Sequence, residues 1–296
     1  MPAFPDLRIF AGVRPSSCPG YVFWKRKKRI NMRFESIASG SSGNCIYVGS
    51  DHTHLLMDVG VSRKRTVEAL RGIGLDMRDI DGIFITHEHV DHITGLPVIA
   101  KNSQMPIYAT KGTIEAVLRN SKCAGIDPER FMCVSPDRPV TVGDLKINPM
   151  RISHDAADPV GYRIYEGNKK ACVCTDLGCF TDYTAECLKD SDVLLLESNH
   201  DVNMLQVGHY PYRLKQRILG DRGHLSNVSS GRLLSRVLND HLRAIFLGHL
   251  SKENNIPELA FETVRVEIMF SESGYRAEEL PIQVAKRSEP SALVEF

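Results

Sequence analysis

The sequence predicts an α/β protein, with sheets covered by helices. Three observations carry that prediction. Short apolar runs alternate with segments of helical periodicity. The runs are bounded by Gly, Asp, Asn and Ser, the residues that end strands and start turns. Ligand-type polar residues also follow the runs again and again, at Asp58, His87, His154, Asp176, Glu197 and His249. If the strands lie side by side, these ends gather on one rim.

Residues 1–31 read as an appendage, rich in Pro, Arg and Lys and without periodicity. They are either a disordered leader or a stretch upstream of a true start at Met32, and the cations at 25–29 could touch nucleic acid or a membrane surface. One domain is expected over 32–296. Its first strand begins in the alternating stretch 32–37. Ser39-Gly40-Ser41-Ser42-Gly43-Asn44 is a turn by composition, of a kind that can offer backbone N–H groups to a phosphate. Strands at 45–49 and 54–58 continue as a meander. Segment 62–74 is helical, with Ser62 as N-cap and Val67, Leu70 and Ile73 at helical spacing. A buried strand at 82–86, a helix at 94–102, a strand at 107–109 and a helix at 111–120 follow. Strands at 140–142 and 147–153 flank a turn at Gly143-Asp144, and strands at 160–165 and 170–175 make a hairpin around 166–168. Fully buried strands are expected at 193–196 and 242–247. Helices are expected at 211–219, 229–238 and 257–270, the last with Pro257 in its first turn. A last strand is placed at 282–285. Nothing in the sequence repeats.

Composition is that of an ordinary globular protein, 42% hydrophobic and 25% charged. The net charge of +1 is unevenly placed. Residues 1–31 hold seven of the 37 basic residues and one of the 36 acidic ones, which leaves 30 against 35 for the rest. An acidic body does not grip a polyanion by net charge alone. No apolar run approaches the roughly eighteen residues of a membrane span, and the N-terminus does not read as a signal peptide. The eight cysteines make no C-x-x-C pair and read as buried, reduced thiols of a cytoplasmic protein.

The stretch Thr86-His87-Glu88-His89-Val90-Asp91-His92 organises the chain. In extended backbone, positions two apart face one side, so His87 and His89 can share an ion. Asp91 and His92 are expected in the following turn, approaching from another direction. That arrangement suits two ions better than one. It is not the helical H-E-x-x-H motif, because position 91 is aspartate.

In order, Asp58, His87-x-His89-x-Asp91-His92, His154, Asp176 and His249 resemble the motif series of the metallo-β-lactamase superfamily. The resemblance implies a four-layer αββα sandwich with a two-metal site on one edge. The closer likeness is to the YycJ-like bacterial hydrolases, through 39–44, Leu196-Glu197-Ser198-Asn199-His200-Asp201, Gly223-His224-Leu225-Ser226-Asn227 and 249–255. That branch implies nuclease activity, including 5′-to-3′ exonuclease action on DNA. It further implies that His87, His89 and His154 hold one ion, Asp91, His92 and His249 the other, and that Asp176 bridges them while Asp58 orients ligands from behind.

Imidazole and carboxylate donors suit Zn²⁺ first, with Mn²⁺ or Fe as alternatives. Two ions about 3.5–4 Å apart can activate a bridging water for attack on a phosphodiester. Asp91 can accept the proton of that water. His224, in a Gly-flanked loop, either donates to the leaving oxygen or binds the phosphate, or else is a backbone-bonded loop residue. Ser41, Ser42, Asn44, His200 and Asn227 are candidate substrate contacts, and Glu197 and His200 read more readily as a buried pairing. Nucleic acid is the expected substrate, gripped by a local patch of Arg213, Lys215, Arg217 and Arg222; the sequence leaves the oligomeric state open. Two other readings stand: hydrolysis of a small thioester or lactam on the same ligands, and a metal-stabilised binding module without turnover.

Overall fold

The structure is a computed structural model that describes residues 31–296. The basic leader assigned to 1–31 therefore lies outside the described residues, apart from Asn31.

The first half of the chain forms β1 (Arg33–Ala38), β2 (Cys45–Gly49), β3 (His54–Met57), β4 (Gly82–Phe84), β5 (Ile107–Thr110) and β6 (Phe131–Val134). The second half forms β7 (Val140–Val142), β8 (Leu145–Arg151), β9 (Val160–Glu166), β10 (Lys169–Cys174), β11 (Val193–Glu197), β12 (Ala244–Gly248) and β13 (Ile282–Val284). A closing strand, β14 (Val294–Glu295), returns to pair with β1. The helices are α1 (Arg63–Gly72), α2 (Val90–Ile93), α3 (Leu96–Lys101), α4 (Lys111–Arg119), α5 (Asp182–Leu188), α6 (Val202–Val207), α7 (Tyr212–Leu219), α8 (Asn227–Ser235) and α9 (Pro257–Met269).

Two seven-stranded sheets result, in the orders β14-β1-β2-β3-β4-β5-β6 and β13-β12-β11-β10-β9-β8-β7. They are built alike. Each runs antiparallel through its first four strands, β14-β1-β2-β3 in one and β7-β8-β9-β10 in the other. Each then runs parallel, through β3-β4-β5-β6 and β10-β11-β12-β13. Apart from β14 and β1, which meet from opposite ends of the described chain, the antiparallel strands are joined directly in sequence, whereas the parallel ones need helical crossovers.

Three apolar clusters make the layers. Phe34, Ile46, Met57 and Phe84 of one sheet meet Ile147, Tyr162, Val173, Leu195 and Phe246 of the other. The outer face of the first sheet packs Leu56, Ile83 and Ile85 on Val67, Leu70, Leu96 and Val117 of α1, α3 and α4. The outer face of the second packs Cys172, Leu194 and Leu247 on Leu188, Leu233 and Val264 of α5, α8 and α9. The architecture is thus an αββα sandwich. Strands such as β11 are buried on both faces, which is why 193–196 is apolar without alternation. No helix of the described residues is long and apolar enough to cross a membrane, and the seven described cysteines are unpaired.

Some expected elements differ. The helix expected at 94–102 is α3, Leu96–Lys101, and the short α2 precedes it, separated at Gly95, whose amide donates to Val59 O and whose Cβ, if present, would lie 2.1 Å from Val61 O. Helix α2 starts at Val90, so the turn expected to hold Asp91 and His92 is a helical one. Strand β6 and helices α5 and α6 were not expected, and the last strand is β14, not 282–285.

Candidate metal centre

Each site residue sits just beyond a strand. Asp58 follows β3, His87 to His92 follow β4, Asp176 follows β10, Glu197 ends β11 and His249 follows β12. In open parallel sheets, ligands collect beyond the carboxyl ends of strands; here two such edges converge. His154 comes from the exit of β8. Asp58, Asp176 and His249 adopt left-handed backbone, with φ of 58°, 60° and 56°. A non-glycine residue holds that conformation only where its surroundings over-determine it. The chain exits of β3 and β4 also come very close. A Cβ at Gly60 would lie 1.6 Å from Asp91 O, so only glycine fits there.

The ligand atoms of His87, His89 and His154 lie within 4.8 Å of one another, and so do those of Asp91, His92 and His249. A third group, His87, His92 and Asp176, links these two sets, and Asp176 also groups with Glu197, His224 and His249.

Buried hydrogen bonds fix which nitrogen faces inward. Asp58 accepts the Thr86 amide (2.8 Å), the Thr86 hydroxyl (2.8 Å) and His92 Nδ1 (2.7 Å). With its proton given to Asp58, the Thr86 hydroxyl accepts from His87 Nδ1 at 3.0 Å. His154 Nδ1 donates to Gly223 O at 3.0 Å, and His249 Nδ1 to Glu197 Oε1 at 2.8 Å. The Nε2 lone pairs of His87, His92, His154 and His249 are thereby left for the centre, the arrangement that orients metal-binding imidazoles.

These residues fit divalent ions. His87 Nε2 is buried without a hydrogen-bond partner. Asp176 Oδ2 lies 3.2 Å from His92 Nε2 but makes no hydrogen bond of proper geometry. Two nitrogens bound tetrahedrally to one zinc are about 3.4 Å apart. The facing donors here are at similar distances: His154 Nε2 to His89 Nδ1 3.2 Å, His249 Nε2 to Asp91 Oδ2 3.2 Å, and His92 Nε2 to Asp91 Oδ2 3.5 Å. The electrostatics agree. Burial and neighbouring imidazoles push His87 well below the usual histidine range, so it is a neutral donor. Burial would also push His92 down, but Asp176, Asp58 and Asp91 override it and raise its pKa well above the usual range. His249 behaves likewise, lifted against burial to about 10 by Asp176, Asp91 and Glu197. A field that favours protons so strongly favours divalent cations too.

His224 stands at the edge, 17% exposed, with Nδ1 2.9 Å from Glu197 Oε1. Glu197 is a hub that sequence reasoning undervalued. Its Oε1 receives both His224 and His249, and its Oε2 accepts the amides of Leu177 (2.6 Å) and Leu225 (3.2 Å). Burial raises its carboxyl, but the two imidazoles more than reverse this and hold it below the usual range. Its position at the end of an apolar run was the available signal. Thr86 was missed as an orienting group because its neighbours in sequence gave no reason to weigh a threonine.

The expected substrate contacts separate into two sets. Ser41 and Ser42 are exposed beside the centre. Asn44 is buried, with Nδ2 3.1 Å from His92 Nε2 and 3.4 Å from Asp91 Oδ2. His200 and Asn227 are each 1% exposed. His200 bonds Asn199 Oδ1, and burial lowers its pKa to about 4. Asn227 pairs with Ser198 and Asn255. Neither has surface left for a substrate, so both are bracing residues. The patch at 213–222 is largely engaged as well: Arg217 pairs with Asp155 (2.5 Å), Arg222 donates to His154 O and Lys215 to Gln206 O.

Comparison with known proteins agrees with this geometry. The family model described as beta-lactamase superfamily domain matches residues 53–238, a span that includes the histidine cluster. Exodeoxyribonuclease YycJ of Bacillus anthracis is 38% identical over 231 residues, 78% of this chain and 87% of that protein. Exodeoxyribonuclease WalJ of Streptococcus pneumoniae is 42% identical over 236 residues, 79% and 87% of the two chains. Among solved structures, the metallo-beta-lactamase fold protein YhfI of Bacillus subtilis superposes with a TM-score of 0.67 at 17% identity, covering 90% of this chain and all of that one. With the sandwich, the strand-end donors and this likeness in agreement, the chain belongs to the metallo-β-lactamase superfamily of metal-dependent hydrolases, in its YycJ-like branch.

Proposed function

We propose that this protein is a metal-dependent nuclease, a 5′-to-3′ exonuclease on DNA. The observation that carries the reading is the pair of adjoining donor sets with His224 suspended on Glu197 at their edge. The exodeoxyribonuclease names of relatives that match over most of their length support it. The working unit is the domain 32–296, with residues 1–31 an appendage. It acts in the cytoplasm, where unpaired cysteines stay reduced.

His87, His89 and His154 would hold one ion, and Asp91, His92 and His249 the other, with Asp176 shared; zinc suits these donors best. Two such ions would neutralise the phosphodiester and activate a bridging water for in-line attack. The rest falls to the chain. Asp91, held ionised by His92 and His249 against the effect of burial, accepts a hydrogen of the attacking water and orients it. Asp58 keeps His92, and through Thr86 also His87, in the orientation required. His224 donates a proton from Nε2 to the leaving oxygen, while Glu197, bonded to Nδ1, fixes the direction in which the ring points.

Single- and double-stranded DNA and RNA, labelled at either end, are incubated with the protein loaded with zinc, manganese or iron. Stepwise loss from the 5′ end of DNA is expected. His89→Ala should abolish it, and His224→Asn should lower kcat by about 100-fold at unchanged metal content. A fully metal-loaded protein that cleaves none of these substrates, or that instead hydrolyses thioesters or lactams, rules the reading out.

A further inference from the structure

A cavity of about 630 Å³ opens beside the metal centre, between the 39–42 turn, the loop after β12 and the exit of β13. Its cations are Lys252, Lys286 and Arg287, against one acid, Glu289. Glu289 is taken by Lys286, with Nζ to Oε2 2.7 Å. Among the described residues, Lys252 and Arg287 have no ion pair. Arg287 is half-buried. Its guanidinium reaches only neutral acceptors, Leu250 O at 2.9 Å and Ser41 Oγ at 3.4 Å. Burial pulls its pKa below the ordinary arginine value, the mark of a cation without a counter-charge. The thirteen-residue α9 also starts at this cavity, and its N-cap, Ile256, provides no side-chain cap, so first-turn N–H groups beyond Pro257 are left to a ligand, although Glu258 in the same turn offsets the helix dipole.

The remaining lining joins an apolar floor of Leu250, Ile256, Pro257, Val284 and Ala285 to the polar Ser39, Asn255 and Ser288. Cationic rim and apolar floor together match a nucleotide, with phosphate at one end and base and sugar at the other. The cavity is also continuous with the centre. Ser39 lines it while its hydroxyl accepts the amide of His249 at 2.8 Å, and Ser41 lies on the same turn as Asn44, which touches Asp91. The chain outside 1–31 is acidic by five charges, and three of the four cations at 213–222 are already engaged. An uncompensated cationic corner in such a body stands out.

We propose that this cavity is a nucleotide subsite: Arg287 and Lys252 hold a phosphate of the strand being degraded, and the apolar floor carries that nucleotide's base and sugar. The proposal rests on the nuclease reading for its ligand, but it makes a separate claim about binding. Fluorescence anisotropy of a labelled single-stranded phosphorothioate DNA oligonucleotide, which resists hydrolysis, tests it with the metal-loaded full chain. Lys252→Gln changes an exposed side chain, and Arg287→Gln and Arg287→Lys change the half-buried one. Each Gln variant should bind about five- to tenfold more weakly and flatten the salt dependence by about one unit of slope. Arg287→Lys should recover part of the loss, and Lys64→Gln, a charge-matched change on α1, should stay within about twofold. Deoxynucleoside monophosphate should compete better than inorganic phosphate. Cleavage of DNA by protein whose Gln variants bind with wild-type affinity and slope would overturn the subsite and leave the nuclease reading intact. Absence of cleavage with variant-sensitive oligonucleotide binding would do the reverse. Equal competition by inorganic phosphate, or no oligonucleotide binding at all, would also overturn it.

Discussion

Glu35 shows what a single position can contribute outside the centre. It lies on β1 opposite Tyr47, is 4% exposed, and its Oε2 has no hydrogen-bond partner. Burial pushes its carboxyl up to about 7 from an ordinary value of 4.5. Between those values the folded protein holds a proton that the unfolded chain has released, so stability falls as pH rises across that window. The full interval corresponds to about 3 kcal/mol at most. Glu35→Gln should therefore be nearly neutral near pH 4.5 and more stable than wild type by about 2 kcal/mol at pH 8, read from urea midpoints at several pH values. An offset that does not change with pH would assign the effect to packing instead. Alternation in 32–37 gives no sign of this, because it does not reveal that helices cover the strand's second face. The donors of the centre were legible for the opposite reason. Four of them are packed into six residues, and the others repeat one pattern, a polar residue after an apolar run. Glu197, Thr86 and Arg287 escape a reading of this kind because their roles depend on partners that only the fold brings near: Glu197 meets His249 across 52 positions, and Arg287 meets Ser41 across 246.

At the scale of elements, the longer helices were legible from their periodicity, helped by the Ser62 cap of the first and by Pro257 in the first turn of the last: 62–74 against Arg63–Gly72, 111–120 against Lys111–Arg119, 257–270 against Pro257–Met269. Short or marginal elements were not. The four residues of β6 are a half-exposed strand at a sheet edge, and α2 is a single turn whose start at Val90 is fixed by the site. The hairpin of β9 and β10 was expected, but its role between the sheets was not. The Tyr162 hydroxyl on β9 donates to Ile85 O at 2.8 Å, the Val160 amide donates to Thr86 O at 3.1 Å, and the Tyr162 ring meets Phe84 edge-on at 5.4 Å. β9 thus fixes the exit of β4, where the histidine cluster begins. Tyr162→Phe keeps the ring and leaves the Ile85 carbonyl unpaired in a buried setting. It should cost about 1–2 kcal/mol in urea denaturation, and because the exit of β4 then loosens, metal affinity should fall as well. Loss of stability with metal affinity unchanged would show that the Val160 contact alone holds that exit.

The whole molecule is two similar half-sandwiches closed on one another, a repeat that the sequence does not show because strand direction and order are preserved where residue identity is not. The candidate centre lies where the two halves meet. Asp58, His87, His89, Asp91 and His92 come from the first sheet's side, and His154, Asp176, Glu197 and His249 from the second. Four carboxylates, Asp58, Asp91, Asp176 and Glu197, crowd this seam, and removing the cations that neutralise them would leave the field to protons on His92 and His249. Bound ions should therefore stabilise both halves together. An ion present at about a thousand times its dissociation constant contributes about 4 kcal/mol, and a chain of this size gains roughly 2–4 °C in Tm per kcal/mol. Chelation should lower Tm by about 10 °C or more, with one cooperative transition retained, and zinc or manganese should restore it. The decisive comparison is calorimetry of the metal-loaded protein, the chelated protein and the reconstituted protein, with metal content measured on each sample. If metal is shown to have left and Tm is unchanged, the seam is held by the apolar clusters alone. If chelation splits the transition in two, the ions join halves that otherwise unfold separately, and the αββα sandwich depends on them for its cooperativity.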